Sequence, residues 1–290
     1  MSTIPARVAG VGRVAACSPP SREYGTIHPA VLVAMDMAGV DEAYSMGGAQ
    51  AIAAYAYGTG SVPRVDIVVG PGNKFVAEAK RQVVGAVGID MLAGPSETLI
   101  IADDTASARL VAVDLLSQCE HDPDANAILV TTSRVLSERV EESIREELET
   151  LGTAVLAGQT WENNGQIILA GSLHEAIEIS DRFAPEHLQL MTACDDELVA
   201  GLHNYGSLFI GRYDPVAFGD YVSGPNHTLP TLTTARFSNG IWVGTFIKIS
   251  TFERVTPEGA ANLAPYCSHL AGVEGLLAHQ RSADLRKPLS

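Results

Sequence analysis

The sequence predicts an α/β protein made of two Rossmann-like parallel-sheet domains, the second incomplete, followed by a C-terminal helical tail. Between residues 13 and 131, short runs rich in β-branched residues alternate with stretches whose apolar residues recur every three or four positions. Parallel strands need crossover connections, so this alternation favours a parallel sheet. Hydrophobic residues make up 46% of the chain and charged residues 18%, a balance typical of a globular protein.

The predicted strands follow one another at the spacing of β-α-β units. In order they are VAAC at 14–17, EAYSM at 42–46, VDIVV at 65–69, TLIIAD at 98–103 and AILVTT at 127–132. The helical patterns between them are HPAVLVAMDMAG, GAQAIAAYAYG, NKFVAEAKRQVVG and SARLVAVDLLSQ. Each of these helices is expected to carry the chain back from one strand to the next.

Beyond residue 133 the alternation loosens but continues. RVLSERVEESIREELETL predicts a charged amphipathic helix, whereas QIILA, HLQLMT and SLFIG predict short strands. A helical segment running from Pro257 to Arg286 follows. We therefore divide the chain into a first Rossmann-like domain at 1–96, a second at 97–242 and a helical tail at 243–290.

Charge and cysteine content narrow the possible partners. The 34 acidic and 19 basic residues leave a formal charge of −15, which argues against nucleic acid or an anionic membrane as partner. The four cysteines contain no CxxC pair and are interpreted as reduced thiols. The sequence shows neither an export signal nor 18 consecutive apolar residues, so a cytoplasmic enzyme acting on a small molecule is expected.

Two glycine-rich strand-to-helix junctions could receive a ligand. In VDIVVGPGNKF, Gly70, Gly72 and Asn73 stand between a strand and a helix, and Gln50 lies at the equivalent junction one unit earlier. The alternative is a pair of tight turns without a ligand. The glycines of GVGRVA at 10–15 precede a strand instead of following one, so they do not fit the dinucleotide-binding fingerprint.

Three separate segments carry side chains that could bind a metal ion. They contain Gln118 and His121 in SQCEHD, Asp220 and His227 in GDYVSGPNHTLPT, and Glu274 and His279 in the terminal helix. Zinc accepts nitrogen and oxygen ligands, and a catalytic site needs three or four of them. Each segment by itself is equally consistent with a polar helix end or turn, and spacing alone does not bring them together.

A further segment, FAPEHLQL, places Glu186 and His187 next to each other before a predicted strand. Adjacent side chains reach one substrate only from an irregular turn, which the preceding Ala184-Pro185 favours. A carboxylate that deprotonates water beside an imidazole that carries a proton suits acid–base catalysis near neutral pH. The alternative is a solvated glutamate and a packed histidine at the start of a strand.

Seven of these segments together resemble the motif series of the histidinol dehydrogenase family. In chain order they are GGAQAIAAYAYGT, VVGPGNKFVAEAKRQVVG, GIDMLAGPSE, DLLSQCEH, APEHLQL, GDYVSGPNHTLPT and EGLLAH. The resemblance implies an NAD-linked oxidation of an alcohol to an aldehyde and then to a carboxylate. It also implies one zinc ion per subunit and a homodimer whose active sites use residues of both chains.

The resemblance assigns roles to individual residues. Zinc would be held by Gln118, His121, Asp220 and His279. Glu186 would activate water and His187 would accept the proton. Ser96, His227 and Glu274, together with the zinc ligands and His187, would bind the substrate, whereas Gln50, Asn73, Gly70 and Gly72 would meet NAD.

Two departures from the family keep alternatives open. Family members carry well over a hundred residues before the segment that here begins at Ile4, so we expect a misplaced start, a fragment or a shortened protein. TIHPAVLVAM, FSNGIWVGTFIK and RSADLR resemble the sulfopropanediol dehydrogenase branch, which makes a sulfonated or other polar diol the alternative to histidinol. An inactive remnant that acts as a binding or assembly module is the alternative of a different class.

Overall fold

The computed structural model describes residues 1–287. The chain divides into two compact units, Met1–Ile247 and a C-terminal unit that begins at Lys248. Every strand pair in the described residues is parallel, so the predicted α/β fold with parallel sheets is confirmed. The domain boundary near residue 96 stays a prediction.

The first hundred residues of unit one alternate helices with short strands. In chain order these are α1 (Thr3–Val8), β1 (Ala15–Ser18), α2 (Pro29–Ala38), β2 (Glu42–Ser45), α3 (Gly48–Tyr57), β3 (Ile67–Val68), α4 (Lys74–Val83) and β4 (Gly88–Ile89). They form two separate sheets, β1–β2 and β3–β4, instead of one continuous sheet. The strand predicted at 65–69 is shorter than expected, and β4 was not predicted.

The rest of unit one is built on one larger sheet. Its elements are β5 (Glu97–Ala102), α5 (Ala108–Cys119), β6 (Asn126–Thr131), α6 (Arg134–Leu148), α7 (Ala154–Asn164), β7 (Gly165–Leu169), α8 (Leu173–Phe183), β8 (His187–Met191), α9 (Asp195–Val199), β9 (Ser207–Ile210) and α10 (Val216–Tyr221). The strand order is β7-β6-β5-β8-β9, with β5 in the centre. Two short 3-10 turns follow, at Thr234–Arg236 and Val243–Phe246.

Helices cover both faces of this five-stranded sheet. Along β5, Ile100 and Ala102 pack against α5, α6 and α7, whereas Leu99 and Ile101 pack against α8 and the residues after β8. All four side chains are fully buried. This alternation is the side-chain period of a strand, and burial on both faces explains the nearly continuous apolar run in β5.

The C-terminal unit contains two helices that pack against each other, α11 (Pro257–Val273) and α12 (Leu277–Asp284). The predicted helical tail is therefore confirmed, with a break at Gly275, whose φ is 75°. In the described residues of this unit, the buried side chains are small: Ala264, Ser268, Ala271 and Ala283. Among residues 1–287, no helix is both long enough and apolar enough to cross a membrane.

Candidate active site

The predicted acid–imidazole pair lies where α8 ends and β8 begins. Ala184 closes α8 in the left-handed conformation, with φ 47°, and Pro185 then directs the chain into the strand. The expected irregular turn is therefore present. Glu186 immediately precedes β8, and His187 is its first residue. The two residues are only 6% and 5% exposed, respectively.

The two side chains lie close together beside a second carboxylate. Glu186 Oε2 accepts the backbone N–H of Glu97 at 3.0 Å and lies 3.7 Å from His187 Nδ1. His187 Nε2 lies 3.9 Å from Asp220 Oδ1. Neither ring nitrogen of His187 has a hydrogen-bond partner in the described chain. Because buried polar atoms are nearly always paired, the imidazole is available to a ligand.

Burial changes the protonation of Glu186. Burial is the main reason that the pKa of this carboxyl rises to about 8, and the nearby carboxylates of Glu97 and Asp220 contribute to that rise. The N–H of Glu97 and the Ser96 hydroxyl oppose the shift by hydrogen bonding to the charged form. At neutral pH this carboxyl is therefore mostly protonated, and its deprotonated fraction, which grows as the pH rises toward 8, can act as a general base.

Burial acts on His187 in the opposite direction. Burial is the main reason that the pKa of the imidazole falls to about 4, with the backbone of Glu97 opposing the shift and His121 and His227 adding to it. Burial also raises the pKa of Asp220, whereas His121 and His227 lower it. At neutral pH His187 is thus a neutral imidazole that can accept a proton. His227 lines the same cleft as His187 and Asp220.

Gln118 reaches this region from the last turn of α5. Thr98 donates its hydroxyl to Gln118 Oε1 at 2.6 Å, and Thr98 is the strand neighbour of His187. Gln118 is 2% exposed, and its Nε2 has no partner among the described residues. Turning the amide by 180° lets Nε2 donate to Thr98 and leaves Oε1 as the unpartnered atom. An oxygen ligand from Gln118 is therefore sterically possible.

The other predicted metal ligands are placed as follows. His121 lies exposed just beyond α5, whereas the Asp220 side chain is only 17% exposed. His279 belongs to the C-terminal unit. In residues 1–287 no three His, Cys, Asp or Glu side chains form a group that could hold a metal. The predicted ligands Gln118, His121 and Asp220 carry nitrogen and oxygen donors of the kinds that zinc accepts, but they do not form a preformed site.

The loop after α10 closes this region. His227 Nδ1 contacts the backbone oxygen of Asp220 at 2.9 Å, and both residues line a narrow cleft with His187 and Phe209. A more open cavity of about 410 Å³ shares Ser207, Asn226 and Leu229 with this cleft. The imidazole of His187 lines the narrow cleft, and the more open cavity lies beside it.

The two glycine-rich junctions differ in how the N-terminus of the following helix is capped. Asn73 accepts the backbone N–H groups of Phe75 and Val76, at 3.1 and 3.2 Å, and so caps α4. These two N–H groups are then not free for an anion, contrary to the expectation for this helix start. α3 instead begins at Gly48, the preceding Gly47 provides no side-chain cap, and Gln50 lies exposed in the first turn.

The site lies at the amino edge of the five-stranded sheet. In open parallel sheets, ligands usually bind at the carboxyl edge where the strand order reverses, here between β5 and β8. At that edge the Asp103 carboxylate accepts the N–H groups of Thr105 and Ala193, the latter at 2.8 Å, and ties the strand ends together. The unpartnered side-chain nitrogens of Gln118 and His187 lie at the opposite edge.

Sequence reasoning missed Glu97, which connects several parts of the site. Its N–H holds Glu186, and its own carboxylate accepts the N–H of Leu232 at 3.2 Å. Leu232 and Thr233 both have positive φ, at 53° and 64°, an uncommon conformation for such residues. Glu97 could have been found from the sequence, because it directly follows the predicted site residue Ser96 at the start of a strand.

These features define a parallel α/β protein with a buried acid–base pair at one edge of its sheet. The Histidinol dehydrogenase family profile matches residues 1–287. The chain is 49% identical to the histidinol dehydrogenase of Gluconobacter oxydans over 99% of its own length, and 48% identical to a histidinol dehydrogenase homolog of Shouchella clausii. This chain belongs to the histidinol dehydrogenase family.

Solved structures support the same assignment. The histidinol dehydrogenase of Elizabethkingia anophelis superposes with a TM-score of 0.92 at 38% identity, over 99% of this chain and 66% of that one. An acetylating aldehyde dehydrogenase from Geobacillus thermoglucosidasius, at 10% identity and a TM-score of 0.53, shares the fold alone. The chain spans about two thirds of the length of its curated relatives, 66% for the Gluconobacter protein.

Proposed function

We propose that this chain is a zinc-dependent, NAD-linked dehydrogenase that oxidises L-histidinol to L-histidine through the aldehyde. The observation that carries the proposal is the buried Glu186–His187 pair beside Asp220, in a member of this family. When bound, NAD would accept hydride, and one zinc per subunit, held by Gln118, His121, Asp220 and His279, would orient the substrate.

The chain's own residues would move the protons. His187, neutral at neutral pH, takes the hydroxyl proton of the substrate in each oxidation. Glu186 takes a proton from the water that attacks the aldehyde, and its raised pKa suits that step near neutral pH. Ser96, His227 and Glu274 contribute to binding the substrate. The closed surroundings of the pair limit competing contact with bulk water.

The cofactor is proposed to lie at the two glycine-rich junctions. Gln50, at the uncapped start of α3, and the turn from Gly70 through Gly72 to Asn73 would meet NAD. The Asn73 side-chain oxygen caps α4, which leaves its amide nitrogen available to a ligand. The NAD phosphates would bind at the start of α3 in preference to α4, because no side chain occupies the first-turn N–H groups of α3.

A direct assay tests the function. Purified protein is mixed with NAD and either histidinol or sulfopropanediol, and NADH is followed by its absorbance. We expect NADH with histidinol. NADH with the diol alone would support the sulfonated-diol alternative, whereas bound zinc without turnover of either alcohol would support a binding module and contradict the proposal.

Metal content tests the ligand set. The protein should carry about one zinc per chain, and His121→Ala should reduce that content several-fold, because a site with three remaining ligands binds zinc more weakly. The measurement is elemental analysis after dialysis. His203→Ala, an exposed histidine outside the site, is the matched control. Full metal content in the His121 variant would exclude this ligand.

The C-terminal unit supports a second copy of the chain as partner. Leu263, Tyr266, Leu270 and Val273 recur every three or four residues along α11 and are 55 to 76% exposed. Leu277, at the start of α12, is 70% exposed. An apolar stripe of this kind marks a protein–protein contact. We propose that it lies in a homodimer whose active sites use both chains.

Hybrid dimers test this shared site. A heterodimer of a Glu186→Gln chain and a His279→Ala chain should have about half the activity of the unaltered dimer, because one of its two sites is intact. Each variant alone should be nearly inactive in oxidising the aldehyde. The heterodimer is isolated with two different affinity tags and assayed for NADH formation from the aldehyde. No recovery in verified heterodimers would contradict the shared site.

A further inference from the structure

The turn proposed to meet NAD is held by a buried ion pair outside the turn itself. Lys80 lies on α4, and Asp90 follows β4. The side chains of the two residues are 3% and 1% exposed and form a salt bridge. We propose that Lys80 and Asp90 are positioning residues for dinucleotide binding: together they fix the backbone of Gly70. This inference rests on the proposed function.

The ion pair contacts both the N–H and the C=O of Gly70. Asp90 Oδ2 accepts the N–H of Gly70 at 2.7 Å, while Lys80 Nζ donates to the carbonyl oxygen of Gly70 at 2.9 Å. Both backbone groups of Gly70 are thus bound by side chains, and these two side chains also bind each other. No other residue in the described chain receives this double contact from a buried ion pair.

The turn needs such support because its own residues cannot supply it. Gly70 has φ 119°, a conformation that L side chains rarely adopt, and Pro71 has no N–H. At Gly72 a Cβ would stand 2.5 Å from the Val76 side chain, so the backbone must pass close to α4. A turn of glycine and proline offers no side-chain hydrogen bond of its own before Asn73.

Energetic reasoning favours a positioning role over a purely stabilising one. Removing two charges from water is costly, and buried ion pairs can often be replaced by apolar residues with little loss of stability. An apolar pair of similar size would therefore keep α4 and β4 packed. It could not hold the N–H and C=O groups of Gly70.

This difference gives a test with the full chain. The double variant Lys80→Met/Asp90→Leu leaves no unpaired buried charge. The asparagine variant, Lys80→Met/Asp90→Asn, also leaves none but keeps one acceptor for the N–H of Gly70. NADH binding is measured by calorimetry, and KM is measured for NAD and for the alcohol. Glu78→Gln, which removes the exposed Glu78–Arg81 pair of the same helix, is the matched control.

We expect NADH to bind about tenfold more weakly to the double variant, with an equal rise in KM for NAD. KM for the alcohol, zinc content and the melting temperature should stay close to those of the Glu78→Gln control. The asparagine variant, which keeps an acceptor for the Gly70 N–H, should lose less affinity than the double variant. Unchanged NADH affinity in a folded double variant would overturn the inference alone, as would equal losses for NADH and alcohol. No NADH binding by the unaltered protein would overturn both the cofactor proposal and this inference.

Discussion

Replacing His187 with asparagine is expected to slow both oxidation steps by about 100- to 10,000-fold, the usual cost of removing a positioned general base. The reason is that each step removes a hydroxyl proton, first from the alcohol and then from the hydrated aldehyde. His187 is the buried, unpartnered imidazole at the site and is neutral at neutral pH. Asparagine is close in size to imidazole but does not accept a proton.

Glu186→Gln should separate the two steps. Glutamine keeps the size of the side chain and an acceptor for the N–H of Glu97, but it cannot take a proton from water. Aldehyde oxidation should therefore fall much more than alcohol oxidation. The two substrates are supplied separately and NADH is measured for each.

Controls decide how these rates are interpreted. His174→Asn changes an exposed histidine on α8 and should leave both rates unchanged. Zinc content and melting temperature show whether each variant keeps its fold. Equal losses in both half-reactions for Glu186→Gln would contradict the division of roles. Normal rates in both the His187 and the Glu186 variant would show that the turn at 184–187 is structural and takes no part in catalysis.

Gly206→Ala is expected to lower activity by about 100-fold, because displacements near 1 Å can cost that much in catalysis. A Cβ at this position would stand 2.5 Å from the backbone oxygen of Glu186 and 3.2 Å from Leu229. The backbone oxygen cannot rotate away as a side chain could. It also accepts the N–H of Ser207 in the sheet, so the start of β8 must move.

The same substitution should destabilise the fold by about 1 to 3 kcal/mol, the usual cost of an overpacked position. Activity is therefore expressed per folded molecule, with unfolding followed in urea. Gly60→Ala is the control, since a Cβ there would meet nothing within 4 Å. Activity that falls only in proportion to the folded fraction would show that Glu186 and His187 tolerate the shift.

Local pattern was sufficient for most elements of the fold. β5 and β6 begin and end within a residue of their predicted bounds, because continuous β-branched runs with turns on both sides allow few other interpretations. The first sheet was harder to predict. VDIVV pairs over only two residues, Ile67 and Val68, and the sheets β1–β2 and β3–β4 stay separate. Strand pairing depends on distant segments that local periodicity does not report.

The location of the site follows partly from sequence order. Ser96 and Glu186 each stand directly before a strand, and Gln118 lies in the last turn of the helix that returns the chain to that side. Residues before parallel strands meet at the amino edge of the sheet. The residues that meet at this edge could therefore be predicted from the sequence, although the fold class alone favours the carboxyl edge as the place where ligands bind.

The sequence by itself determined the family, the parallel α/β architecture and the set of candidate site residues. Only the tertiary structure decided their chemical state. The N–H that holds Glu186 belongs to Glu97, 89 residues earlier, and Asp220 approaches His187 from a separate helix. Burial by these distant segments raises the pKa of Glu186 and lowers that of His187, because desolvation disfavours the charged form of each group.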